Sequence, residues 1–342
     1  MNLAAAVRGY AQGFMRDPPD RELLETLRLD ERTVYAQGAA DPGVRAAAAK
    51  YPVARVWTYN SHPFGYPEDV TGAEPTDELR AWVESAPVDW ILTTGDGGVH
   101  HTLRMREALG LKSPEQGGPR VAALQVGSFC RNDHVVARQA DESIGARVFF
   151  PGADLMRFYR DEERAVPFLA PCEPRLVGGA PAPIDWHSAG VSHSPSNPGT
   201  KGTDHIWPIA QELCAAAGVE FDMIAGVSAE EARTRRAARP IFVDQFNFHI
   251  AGFGQAVTDA MADGCAVVSH VAHLIGEIDG FYPRPPIVHV QTEAHLREHL
   301  RRLLHDEGER TWRRRASLAW ATEVASPVAV AEYWWRHLAR WA

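Results

Sequence analysis

Along most of the chain, short runs of β-branched and aromatic residues alternate with longer stretches whose apolar positions recur every three or four residues. That is the pattern of parallel β-α-β units. In the first half the predicted strands are 33–39, 54–60, 88–95, 120–127 and 146–152, and the predicted helices are 76–85, 100–109 and 134–143. The periodicity lapses in PFLAPCEPRLVGGAPAPIDWHSAG, where five prolines and several glycines accumulate. It then restarts, with predicted strands 191–195, 220–227, 240–246, 265–271 and 287–291 separated by helices 203–217, 229–236 and 253–263. Helices 293–305 and 309–324 follow, and Ser326-Pro327 opens a last one, proline being at home in a first helical turn where its missing N–H is not needed. The organisation is therefore an N-terminal α/β domain (1–172), a linker (173–189), a second α/β domain (190–325) and a C-terminal helix (326–342).

Length and composition narrow the class. At roughly 150 residues per domain, 342 residues predict about two domains. With 45% hydrophobic and 23% charged residues, disordered, collagen-like and coiled-coil classes are excluded. The net charge of −9 (35 basic against 44 acidic) argues against broad non-specific binding to nucleic acid or an anionic membrane surface. No apolar run approaches the roughly 18 residues of a membrane span. Nor does MNLAAAVRGYAQGFMRD, interrupted by Arg8, have the layout of a secretory signal. Cys130, Cys172, Cys214 and Cys265 form no C-x-x-C pair, so neither a disulfide framework nor a zinc knuckle is indicated, and a reducing, cytoplasmic setting is expected. Among the 15 histidines, His100 and His101 diverge and His270-x-x-His273 has no matching carboxylates, so no metal site is expected. The arginine clusters 233–239 and 310–315 alternate with Glu230, Glu231 and Glu309 and read as solvated helix faces.

Two strand-to-helix junctions carry candidate chemistry. SHSPSNPGTKGTD (192–204) is a loop of small and turn-forming residues leading to a helix start, with the full charge of Lys201 beside Gly202: an anion site, or equally an ordinary turn with a solvated lysine. In AGFGQAVTDAMADG (251–264), Gly252 and Gly254 permit close backbone approach, and Asp259 can accept two hydrogen bonds from a vicinal diol or be a surface carboxylate. In an open parallel sheet both junctions lie at the carboxyl edge where ligands bind, and phosphate at one with ribose at the other describes a nucleotide.

HSPSNPGTKGTDH (193–205) and GFGQAVTDAMADG (252–264), in this order, resemble the nucleotide-sugar domain of group 1 glycosyltransferases, the retaining branch of the GT-B fold. The resemblance runs from about 191 to 322. It implies an α/β architecture of two Rossmann-like domains facing a central cleft, with the C-terminal helix crossing back to the first domain. It also implies transfer of a sugar from a nucleotide-diphosphate sugar to an acceptor hydroxyl. Lys201 and Gly202 would then meet the diphosphate, and Val227 and Ser228 the base. Asp259 would meet the ribose, and Gly252, Phe253 and Gly254 the donor sugar and its phosphate. No obligatory cofactor is implied. A divalent ion bridging the diphosphate is not indicated, since no D-x-D motif is present.

The departures from the family pattern are specific. Its E-x7-E motif reads here as Ala251, seven residues, Asp259. The arginine usually five positions before the lysine is Ser196, and Val126 stands at the position of a first-domain histidine. Asp244 and Gln245, at the end of the strand in VDQFNFHIAG, are candidate substitutes for the missing sugar contacts, or polar loop residues. On the acceptor side, TTGDGGVHH offers Asp96 or His100 as a general base, although in a retaining reaction the leaving phosphate can take the proton. Acceptors consistent with this reading are a glycan, a lipid-linked glycan or a small molecule, with nucleic acid disfavoured by the charge. A binding subunit that has lost catalysis, or a sugar-nucleotide epimerase or hydrolase on the same fold, are the alternatives.

Overall fold

A computed structural model describes residues 12–15, 54–58, 70–71, 74–85, 88, 90–94, 98–125, 127–177, 180–247, 254–271 and 274–341. The expected strand 33–39 lies outside these residues, as do Asp96, Val126, Ala251, Gly252 and Phe253. The chain forms two compact units, one of Met1–Ala170 with Pro327–Ala342 and one of Pro171–Ser326. The proline-rich stretch 173–189 groups with the second unit.

Unit 1 is built on a six-stranded sheet in the order β3-β2-β1-β4-β5-β6. Its strands are β1 (Gln12–Met15), β2 (Ala54–Thr58), β3 (Val70–Thr71), β4 (Trp90–Thr94), β5 (Arg120–Gln125) and β6 (Ala146–Pro151). Strands β4, β5 and β6 are parallel as their β-α-β pattern requires, and helices α1 (Asp77–Ser85), α2 (Gly98–Ala108), α3 (Gly127–Asn132) and α4 (His134–Ser143) punctuate them. Strand β1 is not predicted and runs antiparallel to both neighbours, pairing Gly13 with Val56 on one side and Leu92 on the other. Four residues are too few to show a period, so only the hydrogen-bonding partners define this strand. One face of the sheet buries Ile91, Val121, Ala123 and Phe149 against Leu79, Met105, Ile144 and Tyr159.

Unit 2 opens with a small hairpin, β7 (Leu176–Val177) against β8 (Ala180–Pro181), and continues into a five-stranded parallel sheet. In chain order its elements are β9 (Val191–His193), α5 (Pro198–Lys201), α6 (Thr203–Ala217), β10 (Phe221–Met223), α7 (Ala229–Ala238), β11 (Ile241–Val243), α8 (Gln255–Ala262), β12 (Ala266–Ser269), α9 (Leu274–Glu277), β13 (Val288–His289), α10 (Glu293–His305) and α11 (Glu307–Glu323). The sheet order is β10-β9-β11-β12-β13, so the direction of strand addition reverses between β9 and β11. Val191, Ile241, Val243, Ala266 and Val268 face a core closed by Ile206 and Ile209 of α6 and Leu296 and Leu300 of α10. Phe242 and Val267, also buried, alternate to the other face, where α8 and α11 lie against β12.

The expected bounds of α6 and α10 agree with the observed ones because capping fixes them. Gly218 ends α6 at φ 68°, and the Thr292 side chain accepts the His295 N–H at the start of α10. The arginines correct the sequence reading. Arg236, Arg310 and Arg314 are buried rather than solvated. Arg310 donates to the Leu303 and Leu304 carbonyls that end α10, and Arg314 donates to Gly264 O and Asp185 O. The Arg310 and Arg314 guanidinium groups satisfy backbone acceptors that the folded chain would otherwise bury unpaired. The last helix, α12 (Pro327–Leu338), belongs to unit 1, where Trp334 stacks on Phe150 at 4.9 Å and the Tyr333 hydroxyl donates to Pro167 O at 2.8 Å.

Candidate functional site at the sheet reversal of unit 2

The loop after β9 is held by its own side chains. Asn197 Oδ1 accepts the Thr200 N–H at 3.2 Å, its carbonyl accepts the Lys201 N–H at 3.0 Å, and the Gly202 N–H reaches Gly199 O at 3.4 Å. Several loop amides are thus used internally, leaving the Lys201 side chain as the loop's charge. Gly202 is left-handed at φ 67°, and a Cβ there would sit 2.0 Å from Phe246 O, so only glycine lets the two chain segments meet. They are stitched further by Phe246 N–H to Lys201 O (2.9 Å) and Asn247 Nδ2 to Thr200 O (3.0 Å).

This stitching brings Lys201, Asp244 and Gln245 together. Lys201 Nζ donates to Asp244 Oδ1 at 2.8 Å and lies 3.4 Å from Gln245 Oε1. The lysine side chain keeps 20% of its surface exposed, whereas Asp244 has none. The second carboxylate oxygen, Asp244 Oδ2, is buried without a hydrogen-bond partner among the described residues. All three groups stand beyond the carboxyl ends of β9 and β11, the adjacent strands at which the connections diverge. In open α/β sheets this reversal forms the crevice where ligands bind.

His193, not singled out by the sequence motif, lies under the loop with no exposure. Its Nδ1–H donates to Val243 O at 2.8 Å, and the Thr203 hydroxyl donates to Nε2 at 2.8 Å. Burial pushes its pKa down to about 4, so the ring is neutral at neutral pH and this tautomer follows. The available signal was alternation: Val191 points into the core, and His193, two residues on, points the same way.

Of the other expected site residues, Val227, Ser228, Gly254 and Asp259 are described in unit 2. Val227 is half-buried, and Ser228 is exposed, its hydroxyl accepting the Glu231 N–H at the start of α7. Gly254 is exposed just before α8. Asp259 is not on an open surface. It is 2% exposed, and its Oδ1 accepts the Gln255 amide, which also donates to Pro171 O, both at 2.9 Å. Arg233, close enough to be stabilised in its charged form by Asp259 and Asp263, is bidentate on Asp263 at 2.6 and 3.0 Å. Burial raises the pKa of Asp263 despite that partner. His100 is exposed on α2 of unit 1. Among the described residues, no group of three or more His, Cys, Asp or Glu is arranged to hold a metal ion, and no helix is long and apolar enough to cross a membrane.

No protein-family model matches the chain, and no curated protein matches it in sequence. Solved structures do. HepE from Anabaena in complex with UDP matches over 95% of this chain and 98% of its own, with a TM-score of 0.53 at 11% identity. Its complex with UDP-glucose matches over the same shares, with a TM-score of 0.52 at 12% identity. The chain has the GT-B fold, an α/β architecture of two Rossmann-like units.

Proposed function

We propose that the protein is a glycosyltransferase that moves a sugar from a nucleotide-diphosphate sugar to an acceptor hydroxyl with retention at the anomeric carbon. The observation that carries this reading is the meeting of Lys201, Asp244 and Gln245 beyond β9 and β11, at the sheet reversal of a GT-B fold. The UDP and UDP-glucose complexes of HepE support a nucleotide-sugar donor.

In this reading Lys201 and Gly202 face the diphosphate, Val227 and Ser228 the base, and Gly252, Phe253 and Gly254 the sugar and its phosphate. Asp244 and Gln245 take sugar hydroxyls in place of the carboxylate missing at Ala251. Asp259 takes the ribose, which requires the Gln255 amide to give way. The bond from the anomeric carbon to the β-phosphate oxygen breaks, with its electron pair leaving on the phosphate. A new bond forms to the acceptor oxygen, whose proton passes to the departing phosphate or to Asp96 or His100. Lys201 stabilises the charge that develops on the diphosphate, and alignment of the two substrates supplies much of the remaining acceleration. The acceptor is a glycan, a lipid-linked glycan or a small molecule, and four buried free cysteines suit a reducing, cytoplasmic setting.

The test is a thermal-shift panel of UDP, GDP, ADP, dTDP and CDP sugars, followed by turnover with and without acceptors and with EDTA. One donor class is expected to raise the melting temperature, with free nucleotide released only when acceptor is present and undiminished by EDTA. Release without acceptor supports a hydrolase. Tight binding without turnover supports a binding subunit, a reading favoured by the enclosure of Asp259. No stabilisation by any donor would overturn the assignment.

A further inference from the structure

We propose that Asp244 is a specificity residue that makes the site prefer a nucleotide sugar to the spent nucleotide, by holding Lys201 when no donor is bound and accepting a sugar hydroxyl when Lys201 turns to the diphosphate. The inference rests on the reading of this site as the donor site. Lys201 is the one charged residue in the stretch 194–202, and Asp244 neutralises it at 2.8 Å. A diphosphate must therefore compete with a carboxylate for the charge it needs.

The Phe246 N–H bond to Lys201 O and the packing of Gly202 against Phe246 O tie the two segments together, so side-chain torsions are the direct route by which the lysine turns. Gln245 Oε1, 3.4 Å from Nζ, offers it an intermediate partner. Once Lys201 leaves, Asp244 is a wholly buried carboxylate whose Oδ2 already lacks a hydrogen bond, and a buried charge without a partner is strongly unfavourable. A ligand that brings a hydroxyl to Oδ1, the oxygen that Lys201 vacates, restores a hydrogen bond to the carboxylate and lowers the penalty. A bare nucleotide does not.

The experiment measures affinities of UDP, GDP, ADP, dTDP, CDP, their sugars and inorganic pyrophosphate for the wild type, Asp244→Asn, Lys201→Ala and the double variant. Asp244→Asn is expected to bind pyrophosphate and the cognate nucleoside diphosphate about tenfold more tightly, because close charge pairs couple by more than one decade in affinity. Its preference for the nucleotide sugar over the nucleotide should shrink, and the gain should vanish in the double variant because it acts through Lys201. A merely structural role for Asp244 would lower every affinity. Thermal unfolding checks that Asp244→Asn is folded, and Asp244→Ser, which also removes the charge, replaces it if not. If Lys201→Ala weakens nucleotide binding while neutralising Asp244 leaves it unchanged or weaker, the inference is wrong and the donor site stands. If no nucleotide binds the wild type or either Asp244 variant, the donor-site reading falls and takes the inference with it.

Discussion

Enclosed between the Val243 carbonyl and the Thr203 hydroxyl, the His193 ring is neutral in the folded state, and this ties stability to pH. Its pKa is about 4 when folded against 6.5 as a free group. Between those values the unfolded chain binds more protons, so the contribution is complete above pH 6.5 and is lost as pH falls toward 4, in total about 3 kcal/mol. His337 in unit 1, likewise pushed to about 4 by burial and then by Arg340 and Arg336, acts in the same direction. Urea unfolding at pH 7.5 and 4.5 should show the loss, and His193→Gln should flatten it for unit 2. An unchanged pH slope in that variant would mean the ring is not protonation-linked to folding. Lys201 was legible because a lysine in a small-residue loop stands out. Asp244, 43 residues away, was legible only as a polar residue at a strand end, and its pairing with Lys201 was invisible until β9 and β11 lay side by side. Asp259 shows the converse: its position matched a motif, but the Gln255 amide that covers it had no signature.

At the scale of elements, local chemistry set the boundaries and long-range contact set the demands on them. Two glycines flanking α6 separate these effects, since both are left-handed, Gly202 at φ 67° and Gly218 at φ 68°. Nothing lies within 4 Å of a Cβ built at Gly218, so Gly218→Ala should cost only the conformational penalty, about 1–2 kcal/mol. Gly202→Ala meets Phe246 O at 2.0 Å in addition, so it should cost more and displace Lys201, weakening nucleotide binding while Gly218→Ala leaves it intact. Chemical denaturation and nucleotide titration of the two variants test this, and equal costs would show that the loop yields freely. Both glycines were readable as punctuation of a helix. That one also marks the crossing of two chain segments was not.

On the scale of the whole chain, residues from both ends make unit 1, while 171–326 fold as an excursion from it. Trp334, with no exposure, stacks on Phe150 at 4.9 Å and meets Phe168 at 5.9 Å. Trp334→Ala should therefore destabilise unit 1 by about 3–5 kcal/mol and leave unit 2 unaffected. Hydrogen exchange of the full chain, resolved by unit, should show lost protection in β5 and β6 and none in β9, β11 and β12. Loss spread evenly over both units would contradict the separate cores.

What the sequence by itself determined is whatever depends on neighbours along the chain. The alternation of apolar strands and amphipathic helices, the caps of α6 and α10, and two junctions of small residues with Lys201 and Asp259 all follow from local spacing and turn chemistry. Tertiary structure alone decided what depends on neighbours in space. It set β1 antiparallel between β2 and β4, turned Arg310 and Arg314 inward, closed Gln255 over Asp259, and joined Lys201 to Asp244. The physical reason is that a residue's propensity is a property of its own backbone and side chain. Its charge balance and burial are instead properties of whatever the fold brings beside it, and at this site the chemistry resides there.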